Sequence, residues 1–290
     1  MREVLAASRP FSWINTAYPF AAGYLLATGA RVDVALVVGT LYFLGPYNLL
    51  MYGINDVFDY ESDLRNPRKG GIEGALADPA VARTVHRRIL VACAVTNVPV
   101  LVWLLLLGDG AAAATLAVVV SLVVAYSAPR LRFKERPVVD SVTSAMHFVG
   151  PLLYALVLTG TDLGERTAWP VLLAFVAWGM ASHAFGAVQD VRADREGGLA
   201  SVATVLGAHR TVVGSTVAYV LAAVLLLAVP WPGSAAALLP LLYAVNAARF
   251  WSVRDADCER AHAGWRVFLV LNLVTGGAVS MLLIAVARLA

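Results

Sequence analysis

Four polar side chains are crowded at the end of one long apolar stretch of the sequence. Asn55, Asp56, Asp59 and Asp63 lie in the run Asn-Asp-Val-Phe-Asp-Tyr-Glu-Ser-Asp. On an α-helix, spacings of three and four residues place all four side chains on one face. Carboxylates so close together repel one another, and Mg²⁺ removes this conflict because it takes carboxylate oxygens and still binds substrate phosphates. We therefore predict that these three aspartates are metal ligands, rather than a solvated acidic helix end.

A second, smaller acidic cluster follows a later apolar stretch. Asp190 and Asp194 are four residues apart, with Gln189 before them and a pair of glycines after them. An Asp-x-x-x-Asp pair alone is weak, because it occurs by chance on many helices. Its position matches that of the first cluster, since Asn55-Asp56-Val57 and Gln189-Asp190-Val191 both end apolar stretches. We predict that the two clusters face each other across a helical bundle and hold two Mg²⁺ ions.

The charge of these clusters indicates the kind of ligand. Five aspartates carry a charge of about −5, which two magnesium ions reduce enough for a diphosphate to bind. A diphosphate also needs cationic contacts, and basic residues follow the second and fourth apolar stretches. The predicted diphosphate contacts are Asn55, Arg65, Arg68, Lys69, Arg130, Arg132 and Lys134. The alternative for basic residues is membrane topology alone, which we favour for Arg83 and Arg136. Tyr126 is the aromatic side chain that we predict beside a carbocation.

The elements that must position these side chains are membrane-spanning helices. The sequence has 290 residues, of which 60% are hydrophobic and 14% are charged, and its mean hydropathy is +0.74. This is too little charge for a water-soluble domain of such length. Runs long enough to cross a bilayer fall at 10–29, 33–54, 89–108, 111–127, 138–160, 168–190, 212–229, 234–251 and 267–288. We predict an all-α membrane protein, one domain over residues 1–290, with nine transmembrane helices bundled around a central cavity.

The basic residues predict the orientation of this bundle. With nine spans, all of the 22 lysines and arginines except Arg31, Arg166 and Arg288 fall on the side of the N-terminus. Cytoplasmic loops carry such an excess of positive charge. We therefore expect a multi-pass protein of the plasma membrane, with the N-terminus and both aspartate clusters on the cytoplasmic side. The small net charge of +3 gives no reason to expect a nucleic-acid partner.

Taken together, the clusters resemble the motifs of the UbiA-type family of intramembrane prenyltransferases. The resemblance consists of Asn55-Asp56-x-x-Asp59-x-x-x-Asp63, Asp190-x-x-x-Asp194 and the segment from Tyr126 to Lys134, together with the predicted number of helices. Within that family, the sequence is similar to the bacterial lycopene elongases of C50 carotenoid synthesis over nearly its whole length. The stretches that carry this similarity are 8–20, 51–63, 66–71, 132–137, 186–191 and 247–251.

The resemblance implies a reaction and a set of roles. It implies Mg²⁺ and an allylic diphosphate between the two aspartate clusters, with catalytic roles for Asp56, Asp59, Tyr126 and Asp190. It also implies dimethylallyl diphosphate as the donor, lycopene or a related polyene as an acceptor that enters from membrane lipid, and carotenoid-pathway enzymes as partners. Many family members have a lysine four residues after the tyrosine, where this sequence has Arg130. Both Arg130 and Lys134 therefore stay candidates for the diphosphate contact.

Two further functions stay open at this point. A prenyltransferase of the same type could use an aromatic, quinone, chlorophyll or glycerol-lipid acceptor. A cation-coupled secondary transporter could also use acidic residues in a bundle, but it predicts broken helices near the middle of the membrane. The sequence leaves open whether one or both ends of lycopene are alkylated, whether the final cation loses a proton or takes up water, and how many chains associate. Because both acidic clusters lie at the ends of spans, the sequence favours the enzyme.

Overall fold

Every regular element that the computed structural model describes is a helix, which confirms the predicted all-α class for that part of the chain. The described residues are 2–64, 77–164 and 166–289. The α-helices are α1 (Arg2–Ala7), α2 (Trp13–Ala27), α3 (Val34–Leu44), α4 (Pro46–Phe58), α5 (Tyr60–Asp63), α6 (Ala82–Leu107), α7 (Gly110–Ser127), α8 (Val139–Leu158), α9 (Ala168–Val188), α10 (Val191–Glu196), α11 (Val202–Leu206), α12 (Ala208–Leu226), α13 (Leu238–Ala248) and α14 (His262–Leu289). Short 3₁₀-helices lie at Pro10–Ser12, Phe133–Glu135, Gly233–Ala237 and Asp255–Ala261.

Seven helical segments of the described chain are long and apolar enough to cross a membrane. They are Val34–Phe58, Ala82–Leu107, Gly110–Ser127, Val139–Leu158, Ala168–Val188, Ala208–Leu226 and Asp255–Arg288. The predicted spans 10–29 and 234–251 coincide with shorter elements, namely α2, which has 15 residues, and the apolar stretch Gly233–Ala248. At 1.5 Å per residue, a helix of 15 residues covers about 22 Å, which is less than the ~30 Å hydrocarbon core. The predicted number of nine spans is therefore not confirmed.

The helices group into two compact units. Unit 1 contains residues 1–133 and 150–161, and unit 2 contains residues 134–149 and 162–290, so that α8 contributes its first half to unit 2 and its second half to unit 1. Each unit has its own buried apolar cluster. The single domain over residues 1–290 stays a prediction.

The core of unit 1 is built around aromatic rings. The ring centroid of Phe20 lies 5.1 Å from that of Phe43 and 6.0 Å from that of Tyr154, and all three side chains are wholly buried. Gly39 makes room for this cluster, because a Cβ atom there would lie 2.2 Å from the Phe20 ring. The tight packing of these rings fixes α2, α3 and α8 within the unit.

A break between α3 and α4 determines where the first aspartate cluster falls. α3 ends at Leu44 and α4 begins at Pro46, a residue that favours the first position of a helix. The buried side chain of Asn48 closes the break, since its Nδ2 donates to the Phe43 carbonyl (2.8 Å), to the Leu44 carbonyl (3.1 Å) and to Thr16 Oγ1 (2.6 Å). α4 is thus a separate helix that ends at Phe58.

Unit 2 is built around α9, which packs most extensively on α12. Ser182 Oγ and the Tyr219 hydroxyl share a buried hydrogen bond of 3.0 Å at this contact. On another side, α9 approaches the first half of α8 closely, because a Cβ at Gly179 would lie 2.8 Å from Ala145 Cβ. After α9 ends at Val188, the chain turns into the short helix α10. The position of the second aspartate cluster therefore follows from the packing of α9.

Candidate functional site

The first aspartate cluster lies at the C-terminal end of α4. Asn55 and Asp56 are in its last turn, and Asp59 is its C-cap residue. The side chains of Asp56 and Asp59 are almost wholly buried, with exposed fractions of 5% and 3%. Two buried carboxylates at the negative end of a helix dipole are costly unless positive charge compensates them. The positive groups next to each carboxylate therefore determine whether its charge can be accommodated in the protein interior.

Arg9 supplies positive charge to Asp56. Its Nη2 lies 3.0 Å from Asp56 Oδ1, and its guanidinium carbon lies 4.4 Å from the centroid of the Tyr52 ring. The backbone of Arg9 is left-handed, with a φ of 49°, which is a costly conformation for a residue other than glycine. In the sequence, Arg9 indicates only membrane topology, and its contact with Asp56 is not predicted. The only available signal was its place in the stretch 8–20.

The end of α7 and the segment that follows it supply further contacts of this cluster. Arg132 Nη2 lies 3.6 Å from Asp59 Oδ1, and Ser127 Oγ donates a hydrogen bond of 2.9 Å to Asn55 Oδ1. Arg132 also has a left-handed backbone, with a φ of 40°. The structure therefore brings the predicted residue Arg132 to the predicted residue Asp59. Its role as a diphosphate contact stays a prediction.

The other predicted residues of unit 1 lie near the ends of α5 and α7 or outside the described residues. Tyr126 lies in the last turn of α7 and is half-buried, whereas Arg130 is exposed and has a φ of 74°. Asp63 ends α5, and its side chain is outside the described part of the structure. In the same short helix, the Tyr60 hydroxyl donates to the Ala77 carbonyl (3.0 Å), and desolvation raises its pKa, so that it stays a donor. Arg65, Arg68 and Lys69 lie outside the described residues.

The second aspartate cluster lies where α9 passes into α10. Asp190 precedes α10 as its N-cap residue, and the Asp194 backbone N–H donates to the Asp190 carbonyl at 2.8 Å, so that the two carboxylates are one turn apart. Both residues are half-buried. Gln189 is fixed beside them, because its Nε2 donates to the Gly186 carbonyl (3.0 Å) and its Oε1 lies 2.7 Å from His262 Nδ1. Lys134 belongs to this unit as well, and it is half-buried in the 3₁₀-helix Phe133–Glu135.

Ion pairs hold α10 in place from its other face. Arg195 donates from Nε to the Thr204 carbonyl at 2.9 Å and pairs with Asp255, while Arg192 Nη2 lies 2.7 Å from Glu259 Oε1. At 100° per residue, these arginines point away from the face that carries the two aspartates. Arg192 and Arg195 of α10 therefore have structural partners on the face away from Asp190 and Asp194.

The oxygen donors of the first cluster fit magnesium. Within the described ranges, no three His, Cys, Asp or Glu side chains lie close enough together to hold a metal ion by themselves. Mg²⁺ does not require such a set, because it keeps several waters and binds through one or two carboxylates plus substrate phosphates. Asp56 and Asp59 supply two carboxylates, and Asn55 adds an amide oxygen. The convergence of the two clusters on one cavity stays a prediction.

Arg9→Gln should lower the free energy of unfolding by about 2–4 kcal/mol, because it removes the cation that lies 3.0 Å from the buried Asp56 carboxylate. The measurement is thermal or denaturant-induced unfolding of the purified protein in detergent.

Arg31→Gln is the matched control for this prediction. Arg31 also pairs with an aspartate, Asp33, at 2.8 Å, but its side chain is 62% exposed. Exposed pairs contribute little, so that the change should cost less than about 1 kcal/mol. Equal losses in the two variants would contradict a special role for the Arg9–Asp56 pair.

Comparison with known proteins gives a consistent result. A profile described as the UbiA prenyltransferase family matches residues 16–274. A lycopene elongase/hydratase of Corynebacterium glutamicum is 49% identical over 286 residues, which cover 99% of this chain and 98% of that protein. A C(50) beta-cyclic carotenoids biosynthesis protein of Dietzia sp. is 53% identical over 279 residues, which cover 96% of this chain and 63% of that protein.

Solved structures share the fold at low sequence identity. A UbiA homolog from Archaeoglobus fulgidus, bound to DMAPP and Mg²⁺, has a TM-score of 0.72 and 18% identity, with 95% of this chain and 99% of that chain covered. An apo UbiA homolog from Aeropyrum pernix has a TM-score of 0.64 and 16% identity, with 94% and 98% covered. With its apolar helical segments and its match to the family profile over most of its length, the chain belongs to the UbiA prenyltransferase family and is a multi-pass membrane prenyltransferase.

Proposed function

We propose that this enzyme transfers a dimethylallyl group from its diphosphate to one or both ends of lycopene, with Mg²⁺ as the metal cofactor. The observation that carries the proposed chemistry is the buried pair Asp56 and Asp59, each with a carboxylate oxygen within 4 Å of an arginine. The acceptor is supported by the relative that is 49% identical over nearly the whole chain and is named a lycopene elongase/hydratase. The donor is supported by the similarly folded homolog that is bound to DMAPP and Mg²⁺.

The proposed metal ligands are Asp56, Asp59 and Asp63 in the first cluster and Asp190 and Asp194 in the second. Bound magnesium would neutralise the carboxylates and the charge that develops on the leaving diphosphate. Arg132 holds Asp59 at 3.6 Å and is therefore close enough to contact a phosphate bound beside that carboxylate. The other proposed diphosphate contacts are Asn55, Arg65, Arg68, Lys69, Arg130 and Lys134.

The chain's own residues shape the carbon chemistry as well. The electron-rich ring of Tyr126, in the last turn of α7, would flank the allylic cation after the diphosphate departs. A terminal alkene of lycopene would then attack this cation and form the new carbon–carbon bond. The spans are rich in Ala, Val and Leu, so that the reaction would take place in surroundings poor in water. We propose that it occurs at the cytoplasmic side of the plasma membrane, where lycopene enters from lipid.

Two alternative functions have less support. Another acceptor, such as an aromatic acid, would fit the same aspartate clusters but not the similarity to proteins named for carotenoid synthesis. A transporter predicts a broken helix, and the α3–α4 break is such a feature. However, the hydrogen bonds of Asn48 close this break, and residues 43–48 contain no acidic side chain.

Expression of the chain in a lycopene-producing host should convert lycopene into carotenoids that are longer by one or two five-carbon units. Pigment extraction and mass spectrometry measure the gain, and an empty vector provides the control. Membranes from the same cells should also incorporate label from dimethylallyl diphosphate into lycopene but not into an added aromatic acid. Label that enters only the aromatic acid, with lycopene unchanged, would contradict the proposed acceptor.

A further inference from the structure

A wholly buried carboxylate lies in unit 2, outside both aspartate clusters. Asp140, in the first turn of α8, has an exposed fraction of 0%. Its Oδ2 accepts from the Val202 backbone N–H at 2.7 Å, and its Oδ1 accepts from the backbone N–H and the hydroxyl of Ser141 at 2.7 and 3.2 Å. Three donors on one carboxylate stabilise its ionised form inside the protein. Asp140 is therefore a fixed negative charge that belongs to neither aspartate cluster.

An imidazole lies next to this charge. His183 Nε2 is 3.7 Å from Asp140 Oδ2, and one-fifth of the His183 side chain is exposed. The close approach of Gly179 to Ala145, one turn before His183 on α9, fixes the distance between the two helices. At this distance the Asp140 carboxylate can stabilise a positive charge on the imidazole by Coulomb attraction, as a carboxylate does beside a histidine in proton transfer.

The position of His183 on α9 relates it to the second aspartate cluster. His183 lies within α9, which runs on to Val188, and Asp190 follows two residues after that end as the N-cap of α10. The rise of 1.5 Å per residue places His183 about 8 Å along the α9 axis from Val188, the last residue of that helix. If the second cluster binds the diphosphate as proposed, His183 lies deeper in the membrane-spanning part of α9, on the side of the hydrocarbon chains.

We propose that the His183 imidazole, oriented by Asp140, accepts the proton that is released at the end of the reaction. This inference rests on the proposed transfer of a prenyl group to an alkene, which leaves a tertiary cation on the acceptor. Nε2 is the ring nitrogen nearest Asp140, at 3.7 Å from Oδ2, and in this proposal Nδ1 takes the proton. His183 is then a catalytic residue, and Asp140 is a positioning residue.

The proton balance is the same for both fates of the cation. If a C–H bond next to the cationic carbon breaks, its electron pair forms a C=C bond and the proton moves to Nδ1. If water adds instead, a C–O bond forms and the bound water gives one proton to Nδ1. In both cases an imidazolium forms beside the Asp140 carboxylate, and the proton later passes to solvent. No oxidant or reductant is needed.

His183→Gln should uncouple diphosphate release from carotenoid formation. The full-length enzyme is assayed in lycopene-containing proteoliposomes with dimethylallyl diphosphate and Mg²⁺, and diphosphate and alkylated carotenoid are both quantified. Without this base, the new carbon–carbon bond breaks again and water captures the dimethylallyl cation as dimethylallyl alcohol, with a proton released to solvent. We therefore expect carotenoid formation to fall about 10²–10³-fold, the ratio of diphosphate to carotenoid to rise at least about tenfold, and KM for the donor to stay unchanged. Asp140→Asn should shift the ratio in the same direction by a smaller factor. His183→Ala, assayed with added imidazole, should recover part of the carotenoid formation.

His209→Gln is the matched control, since His209 lies in the same unit but is exposed and bonded through Nδ1 to the Trp251 carbonyl. The ratio of diphosphate to alkylated carotenoid in His209→Gln should equal that of the wild type. A wild-type ratio in His183→Gln, or a proportional loss of both products that imidazole does not restore, would overturn the inference and leave the proposed function intact. A wild-type enzyme that alkylates no lycopene would overturn the proposed function itself, and the inference with it.

Discussion

Asp56→Asn should reduce prenyl transfer by at least about 10³-fold while the protein remains folded. The substitution keeps the size of the side chain but removes the charge that a hard divalent cation requires. Removal of one electrostatic contact to developing charge already costs about 10²–10³-fold in other enzymes, and a metal ligand contributes before and during bond cleavage. Initial rates of the purified variant, together with size-exclusion and thermal unfolding profiles in detergent, measure the effect.

The loss of activity can be separated from a loss of stability. Arg9→Gln removes the other half of the Arg9–Asp56 pair and should destabilise the protein without removing a proposed metal ligand. Asp33→Asn is a control at a remote site, where Asp33 Oδ1 accepts from the Leu36 backbone N–H at 3.0 Å and caps α3. It should keep the wild-type rate. An Asp56→Asn enzyme with the rate of the wild type would disprove the proposed metal site.

The spacing of the first cluster was informative up to the point where the helix ends. The distances of three and four residues predicted one shared face, and α4 does carry Asn55 and Asp56 in its last turn. The pattern could not show that α4 ends at Phe58, with Asp59 as its cap and Asp63 in a separate helix. Periodicity describes a helix that continues, whereas the end of a helix depends on backbone hydrogen bonds made elsewhere.

The apolar runs predicted the helices better than they predicted their lengths. The run 10–29 begins with Pro10, which belongs to a 3₁₀-helix, and only Trp13–Ala27 forms the α-helix. The run 33–54 contains Gly45-Pro46, which is a sequence signal for the observed break. Hydropathy adds up composition over a window and is insensitive to such interruptions. For this reason the all-α class is confirmed, whereas the number of nine spans is not.

The partners of the buried charges could not be predicted from the sequence. Arg9 and Asp56 are 47 residues apart, and Asp140 and Val202 are 62 residues apart. Neither pair belongs to a periodic pattern, because each contact depends on how one helix packs against another. In the sequence, Arg9 indicates only membrane topology, and no motif contains Asp140. Such long-range contacts of charged side chains are therefore the part of the candidate site that only the structure supplies.

Removal of divalent metal should abolish prenyl transfer, and Mg²⁺ should restore it. Asp56 and Asp59 are buried at the negative end of α4, and each is already paired with one arginine, so that a diphosphate with several negative charges needs further positive charge to bind beside them. Dialysis against a chelator should reduce the rate below detection, and a titration with MgCl₂ should recover it. Ca²⁺ should not replace Mg²⁺, because it prefers more ligands at longer distances. Full activity in excess chelator would contradict the metal requirement.

The distances of Arg9 and Arg132 from their aspartates indicate which carboxylate turns more easily toward Mg²⁺. Asp59 is held by Arg132 at 3.6 Å, a longer and weaker contact than the 3.0 Å between Arg9 and Asp56, so that Asp59 loses less when it turns toward a metal ion. Asp59→Asn should therefore raise the Mg²⁺ concentration for half-maximal rate at least about tenfold. Asp109→Asn, which changes only the cap of α7 at the Ala112 N–H, should keep the wild-type requirement. An equal Mg²⁺ requirement in both variants would exclude Asp59 from the metal site, since a ligand of the ion cannot be neutralised without a change in its affinity.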